Sequence, residues 1–171
     1  MVYFRHSPLP PSPPSIRLIH LSPGHSSSPL HATITHSSLA SSDNTFEALS
    51  YCWGDPKRTR ILYTPEGRIP LTRSLFNALR RLRSESDVRV LWADAACINQ
   101  RENAEMSVQV GLMREIYRKA ARVIAYLGEG RDDSHLALDL IGKLSTLSSG
   151  DAAWFALARF WSRPWFQRVW I

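Results

Sequence analysis

Three nearly continuous apolar runs, each followed by a stretch with helical periodicity, constrain this chain more than any other feature. They are FEALSYCW at residues 46–53, VRVLWADAACI at residues 88–98 and RVIAYL at residues 122–127. Runs of this kind suit strands buried on both faces, as in a parallel sheet covered by helices. Between the first two, Thr72 is placed to cap a helix whose Leu75, Phe76, Leu79 and Leu82 share one stripe. After the second run, a helix starts near Asn103. Met106, Val110, Met113 and Tyr117 form one of its stripes, and Glu105, Gln109, Leu112 and Ile116 the adjacent one. Helical patterns follow at residues 134–147 and 152–161, and residues 169–171 begin another strand. Alternation of this kind predicts an α/β fold with a central, mostly parallel sheet and flanking helices.

Upstream, residues 16–21 and 31–36 read as strands joined by a Ser/Pro-rich loop, an N-terminal β-hairpin elaboration on the sheet. Residues 60–63 and 68–71 flank Pro65-Glu66-Gly67 and read as a second hairpin. Residues 1–15 hold Pro8, Pro10, Pro11, Pro13 and Pro14 and are expected to form a disordered, Pro-rich leader, leaving 16–171 as one domain.

The formal charge of +6 invites a nucleic-acid reading. The arginines are scattered, however, and the nearest cluster (Arg80, Arg81 and Arg83) falls on the solvent face of an amphipathic helix, so nucleic acid is not expected as a partner. Cys52 and Cys97 lie within apolar runs and read as reduced, buried thiols, not a secreted disulfide framework. The N-terminus lacks the apolar core of a signal peptide, and no apolar run reaches the length of a membrane span. A cytoplasmic protein without membrane contact is the expectation.

In parallel sheets, sites form where strand carboxyl ends meet helix amino ends. That rule selects the loops at residues 53–56, 94–105 and 128–133. Asp94 is a charge inside an apolar run; it is either held by an Arg or backbone N–H groups, or it is a polar group in a pocket. Asn99 and Gln100 follow, suited to turn capping or to ligand binding. Glu105 and Gln109 share one helical face. A Glu in a first turn is favoured by the helix dipole alone, the alternative being a carboxylate aimed into the cleft beside Asn99. Tyr51 and Trp53 serve as core packing or as a stacking surface, and Gly54 as a tight turn. His20, His25, His31 and His36 lack accompanying ligands at metal spacing, so no metal is expected. Neither a phosphate-loop motif nor a Gly-x-Ser-x-Gly elbow occurs.

Four blocks, in this order, resemble the heterokaryon incompatibility (HET) domain of filamentous fungi. They are FEALSYCWGDP at residues 46–56, LWADAACINQ at 91–100, EMSVQV at 105–110 with Met113, Ile116 and Tyr117, and RPWFQRVW at 163–170. Ala93 and Ala96 stand where the family pattern carries bulkier apolar residues, and the chain stops before the pattern's Gln-Glu pair, so a truncated C-terminal strand is expected. The resemblance implies a fungal allorecognition domain that triggers cell death through self-association or contact with other signalling proteins. HET domains are in turn similar to TIR domains, which implies a flavodoxin/TIR-like sheet. By that analogy the alternative function is NAD binding or NAD cleavage, with NAD as substrate. Glu105 is then the catalytic candidate, with Tyr51, Trp53, Gly54, Asp94, Asn99, Gln100 and Gln109 as ligand-binding residues.

Overall fold

A computed structural model of the chain describes residues 2–10, 12–130, 134–142 and 152–166. It divides into two compact units, residues 1–126 and 127–171. The first unit carries a seven-stranded sheet. Its strands are β1 (Ser15–Leu21), β2 (Leu30–Ser38), β3 (Glu47–Tyr51), β4 (Arg60–Thr64), β5 (Gly67–Leu71), β6 (Arg89–Trp92) and β7 (Arg122–Tyr126). They lie in the order β5-β4-β2-β1-β6-β3-β7.

This order corrects the expected mostly parallel sheet. β3 pairs in parallel with β6 and β7, as expected from the three apolar runs. β1, however, is antiparallel to both β2 and β6, and β4 is antiparallel to β5. The sheet is mixed, and its longest ladder, Ser15↔Ser38 to Leu21↔Ala32, is antiparallel. The N-terminal hairpin is therefore no elaboration: β1 sits in the middle of the sheet. The physical reason is its burial on both faces, with Ile16, Arg17, Leu18, Ile19 and Leu21 all buried. A strand apolar on both sides must be central.

The apolar run at residues 88–98 is also shorter as a strand than expected. β6 ends at Trp92, and Asp94–Cys97 closes a single helical turn, α2. The Asp94 carboxylate accepts from its neighbour's N–H (Ala95 N, 2.7 Å), and Cys97 N donates to the Ala93 carbonyl at 2.8 Å. An Asp followed by alanines starts a helical turn as readily as it continues a strand.

Two further local expectations hold, the Thr72 cap and the helix starting near Asn103, whereas Cys52, expected buried, is half-buried. Thr72 Oγ1 accepts from Leu75 N at 3.3 Å and caps α1 (Arg73–Leu82), which buries Leu75, Ala78 and Leu79. α3 spans Asn103–Lys119. Of its two stripes, the one containing Gln109 and Ile116 faces inward, whereas Val110 is 54% exposed. Gln109 is tied there by its amide Nε2, which donates to Ser15 O at 3.0 Å, while its buried Oε1 has no partner among the described residues.

The leader is not the bare tail expected. Phe4 N donates to Arg68 O (3.0 Å) and Arg68 N to Val2 O (3.1 Å), so residues 2–4 lie along β5. His6 Nε2 is 2.9 Å from Ala96 O. The prolines begin only after these contacts. Gly67 makes room for them: its φ is +144°, and a Cβ there would lie 2.8 Å from Phe4 N and 2.9 Å from Tyr3 C. Gly67→Ala is expected to lift the leader, since strain of this kind costs about 1–3 kcal/mol. Hydrogen exchange at Phe4 should accelerate about tenfold or more. Gly111→Ala meets open space in α3 and should instead stabilise the fold by about 0.5–1 kcal/mol. Unchanged exchange at Phe4 would refute the packing role of Gly67.

In the second unit, α4 (Ser134–Gly142) and α5 (Ala152–Trp161) enclose Ala137, Ala156, Leu157 and Phe160. Arg163 lies over the Phe160 ring at 5.0 Å and donates to Leu127 O at 3.3 Å. The end of the expected helix at residues 143–147 and the expected strand at 169–171 lie outside the described residues.

Candidate functional site: two held carboxylates around one helical turn

The turn α2 and the residues after it place two carboxylates, Asp94 and Glu105. β3 brings Tyr51 and Trp53 to the first of them. Trp53 Nε1 donates to Asp94 Oδ2 at 3.0 Å, and Ala95 N donates to Oδ1. The buried Tyr51 hydroxyl is subject to the charge of Asp94 as well. Burial, then the charge of Asp94, push the Tyr51 phenol far above its ordinary range, so it stays protonated. Gln100 closes the turn, its Nε2 donating to the Asp94 carbonyl at 3.0 Å. Gly54, at φ +66°, turns the chain directly after Trp53. Of the two readings of Asp94, the held carboxylate describes its observed contacts.

Glu105 sits in the first turn of α3, and its partner is Arg17 of β1. Arg17 Nη1 reaches Glu105 Oε1 at 2.6 Å and Nη2 reaches Oε2 at 2.9 Å, a bidentate pair. The same guanidinium donates to Cys97 O at 2.9 Å and Ser7 O at 2.6 Å. Asn99 N adds a third donor to Glu105, at 2.7 Å. Arg17 is 1% exposed and the Glu105 side chain 13%. Burial pushes the Glu105 carboxyl up, but the hydrogen bonds from Arg17 and Asn99 N, with the charges of Arg17 and His6, outweigh it and hold the group below its usual range. The group is an ionised carboxylate with both oxygens engaged. Burial also pushes the neighbouring Cys97 thiol up to about 12, so it is a neutral thiol.

The structure thus joins Tyr51, Trp53, Asp94 and Gln100 in one cluster and Asn99 with Glu105 in another. Gln109 lies one helical turn beyond Glu105, tied to the start of β1. Arg17 is the residue that sequence reasoning missed. Its mark was visible as a charge inside IRLIHL at residues 16–21, a run otherwise read as a plain strand.

Two open cavities flank these clusters. One, of about 510 Å³, lies between the leader prolines and α3 and is lined by Glu105, Gln109 and Asn99 among others. The other, of about 570 Å³, lies between residues 3–6, β5 and residues 95–101. Among the described residues no group of three His, Cys, Asp or Glu side chains could hold a metal ion, and no helix is long and apolar enough to cross a membrane.

A family model described as heterokaryon incompatibility protein (HET) matches residues 46–171. Heterokaryon incompatibility protein 6, OR allele, of Neurospora crassa is 41% identical over 113 residues, which cover 58% of this chain and 17% of that protein. The chain therefore spans less than a fifth of that relative's length. No solved structure matches the chain.

Proposed function

The chain belongs to the heterokaryon incompatibility (HET) family, and on that premise we propose that it is a fungal nonself-recognition domain that triggers cell death by self-association or by contact with a signalling partner. The observation that carries this reading is the apolar surface that α3 leaves exposed. Inward, Glu105 and Gln109 are bound to β1 and to the turn before the helix. Val108 and Val110, on opposite flanks of the helix, are 62% and 54% exposed. Valines left open to water on a helix offer apolar surface suited to contact with another protein. The alternative, NAD binding or cleavage, asks Glu105 to stabilise a developing positive charge. Arg17 already balances that carboxylate, so this use of it has weaker support.

Expression of the 171-residue chain in a filamentous fungus tests the reading. Growth arrest is expected, and Val108→Asp with Val110→Asp should abolish it at unchanged protein level. Glu105→Gln, if the protein accumulates normally, should leave it in place. Arrest lost in Glu105→Gln but retained in the double Asp variant would overturn the proposal in favour of a catalytic mechanism. Absence of arrest by the unaltered chain would overturn it as well.

A further inference from the structure

The cavity of about 570 Å³ is lined by three arginines, Arg5, Arg58 and Arg101, and by no aspartate or glutamate. None of the three guanidiniums is hydrogen-bonded or ion-paired to a described residue. That sets them apart from four other cations. Arg17 is paired with Glu105, Arg89 and Arg122 with Glu47, and Lys119 with Asp43. Three like charges facing one concavity repel one another and focus a positive potential into it. The field is felt nearby. His6, on the same wall, is held below its ordinary value by burial first, and the charges of Arg17 and Arg58 act in the same direction. Its Nε2 is engaged with Ala96 O, so the ring adds a neutral wall.

The remaining walls are flat and apolar. Tyr3 is 60% exposed and lines the cavity beside Phe4, whose ring packs edge-on against His6 at 5.1 Å between centroids. Pro70 and Ile69 form part of the floor. Guanidinium forks match phosphate oxygens two at a time, and an exposed aromatic face stacks on a planar ring. The volume lies within the ordinary range for small-molecule sites, about 300–1,000 Å³.

We propose that this cavity binds a phosphate-bearing small molecule of nucleotide size, with its phosphates on Arg5, Arg58 and Arg101 and its planar body against Tyr3 and Phe4. The inference goes beyond the signalling role, because it concerns a ligand instead of a protein partner and stands on residues that role does not use. The leader gains a binding role as well, since residues 3–6 supply one arginine and both aromatic rings.

Isothermal titration of the 171-residue chain tests it, with ADP, inorganic pyrophosphate and adenosine as probes. ADP should bind saturably at one site and weaken as salt rises. Arg58→Gln and Arg101→Gln should each weaken ADP about tenfold or more. Arg81→Gln, an exposed arginine of α1 away from the cavity, should change nothing. Tyr3→Ala should weaken ADP but leave pyrophosphate unchanged. All these side chains are exposed, so thermal melts of the variants should match the unaltered chain. Absence of saturable binding by both phosphate probes would overturn the proposal, as would ADP binding indifferent to Arg58→Gln and Arg101→Gln. Adenosine binding as tightly as ADP would overturn the role of the arginines. Tighter binding of a single-stranded RNA than of ADP would overturn the small-molecule assignment.

Discussion

Arg17→Met is expected to lower the unfolding free energy in urea by about 3–5 kcal/mol, the size typical when one partner of a buried ion pair is removed. Arg17 is 1% exposed and joins four acceptors: both oxygens of Glu105, the Cys97 carbonyl and the Ser7 carbonyl. Met fills much of the same volume but leaves Glu105 charged and buried. Adding Glu105→Gln to Arg17→Met should recover part of the loss, because the stranded charge goes with it.

The pair also sets a pH dependence with a definite sign. In the folded chain the Glu105 carboxyl is held below its usual range, against about 4.3 when unfolded. Its contribution is present above that unfolded value and is lost as pH falls through the lower folded value. His6 and His36 are held below their ordinary value, by burial first and then by the charge of Arg17. The unfolded chain therefore binds more protons than the folded one below about pH 6.5, and acid destabilises the fold from there downward. In Arg17→Met the downward Glu105 shift should shrink, since burial is then opposed only by the Asn99 N–H and the charge of His6. The share of acid destabilisation that Glu105 contributes should shrink with it. A variant that loses less than about 1 kcal/mol in urea would show that the pair is a surface-like contact instead of a buried one.

How much of this was legible follows from which features are local. The hairpin β4–β5 around Pro65 and Glu66, the Thr72 cap and the start of α3 each depend on neighbours within a few residues, and each was readable. The position of β1 was not, because an apolar hexamer reads alike at the edge of a sheet and at its centre. Arg17 was the available clue, since a charge in such a run needs a partner; the sequence does not say that the partner lies at Glu105, far along the chain. Asp94 misled in the opposite way. Its run of alanines suits a strand or a helical turn, and the hydrogen bond from Ala95 N decided for the turn. The leader was judged by its prolines, whereas its docking depends on residues 2–7 and on a glycine in another hairpin. Among the candidate residues, Tyr51, Trp53 and Asp94 come together, while Glu105 meets a residue that periodicity could not single out.

Trp92→Ala is expected to cost about 3–5 kcal/mol, comparable to the Arg17 effect but of another origin. Trp92 is fully buried at the end of β6, and its ring meets Tyr117 of α3 edge-on, with centroids 5.8 Å apart. Truncation removes the largest fully buried side chain among the described residues and opens a cavity between sheet and helix. The informative companion is Trp92→Phe. The indole Nε1 is buried and has no acceptor among the described residues, and an unmade hydrogen bond at a buried donor costs about 1–3 kcal/mol. Phe removes that donor while keeping an aromatic face for Tyr117. The smaller ring leaves a void, whose cost runs against the gain. The net change should fall below about 1.5 kcal/mol, far from that of the Ala variant. Urea midpoints of the two variants separate the contributions. If Phe proves as damaging as Ala, the indole N–H must be satisfied in the folded chain. The stability of this corner would then rest on a polar contact, with packing between β6 and α3 secondary.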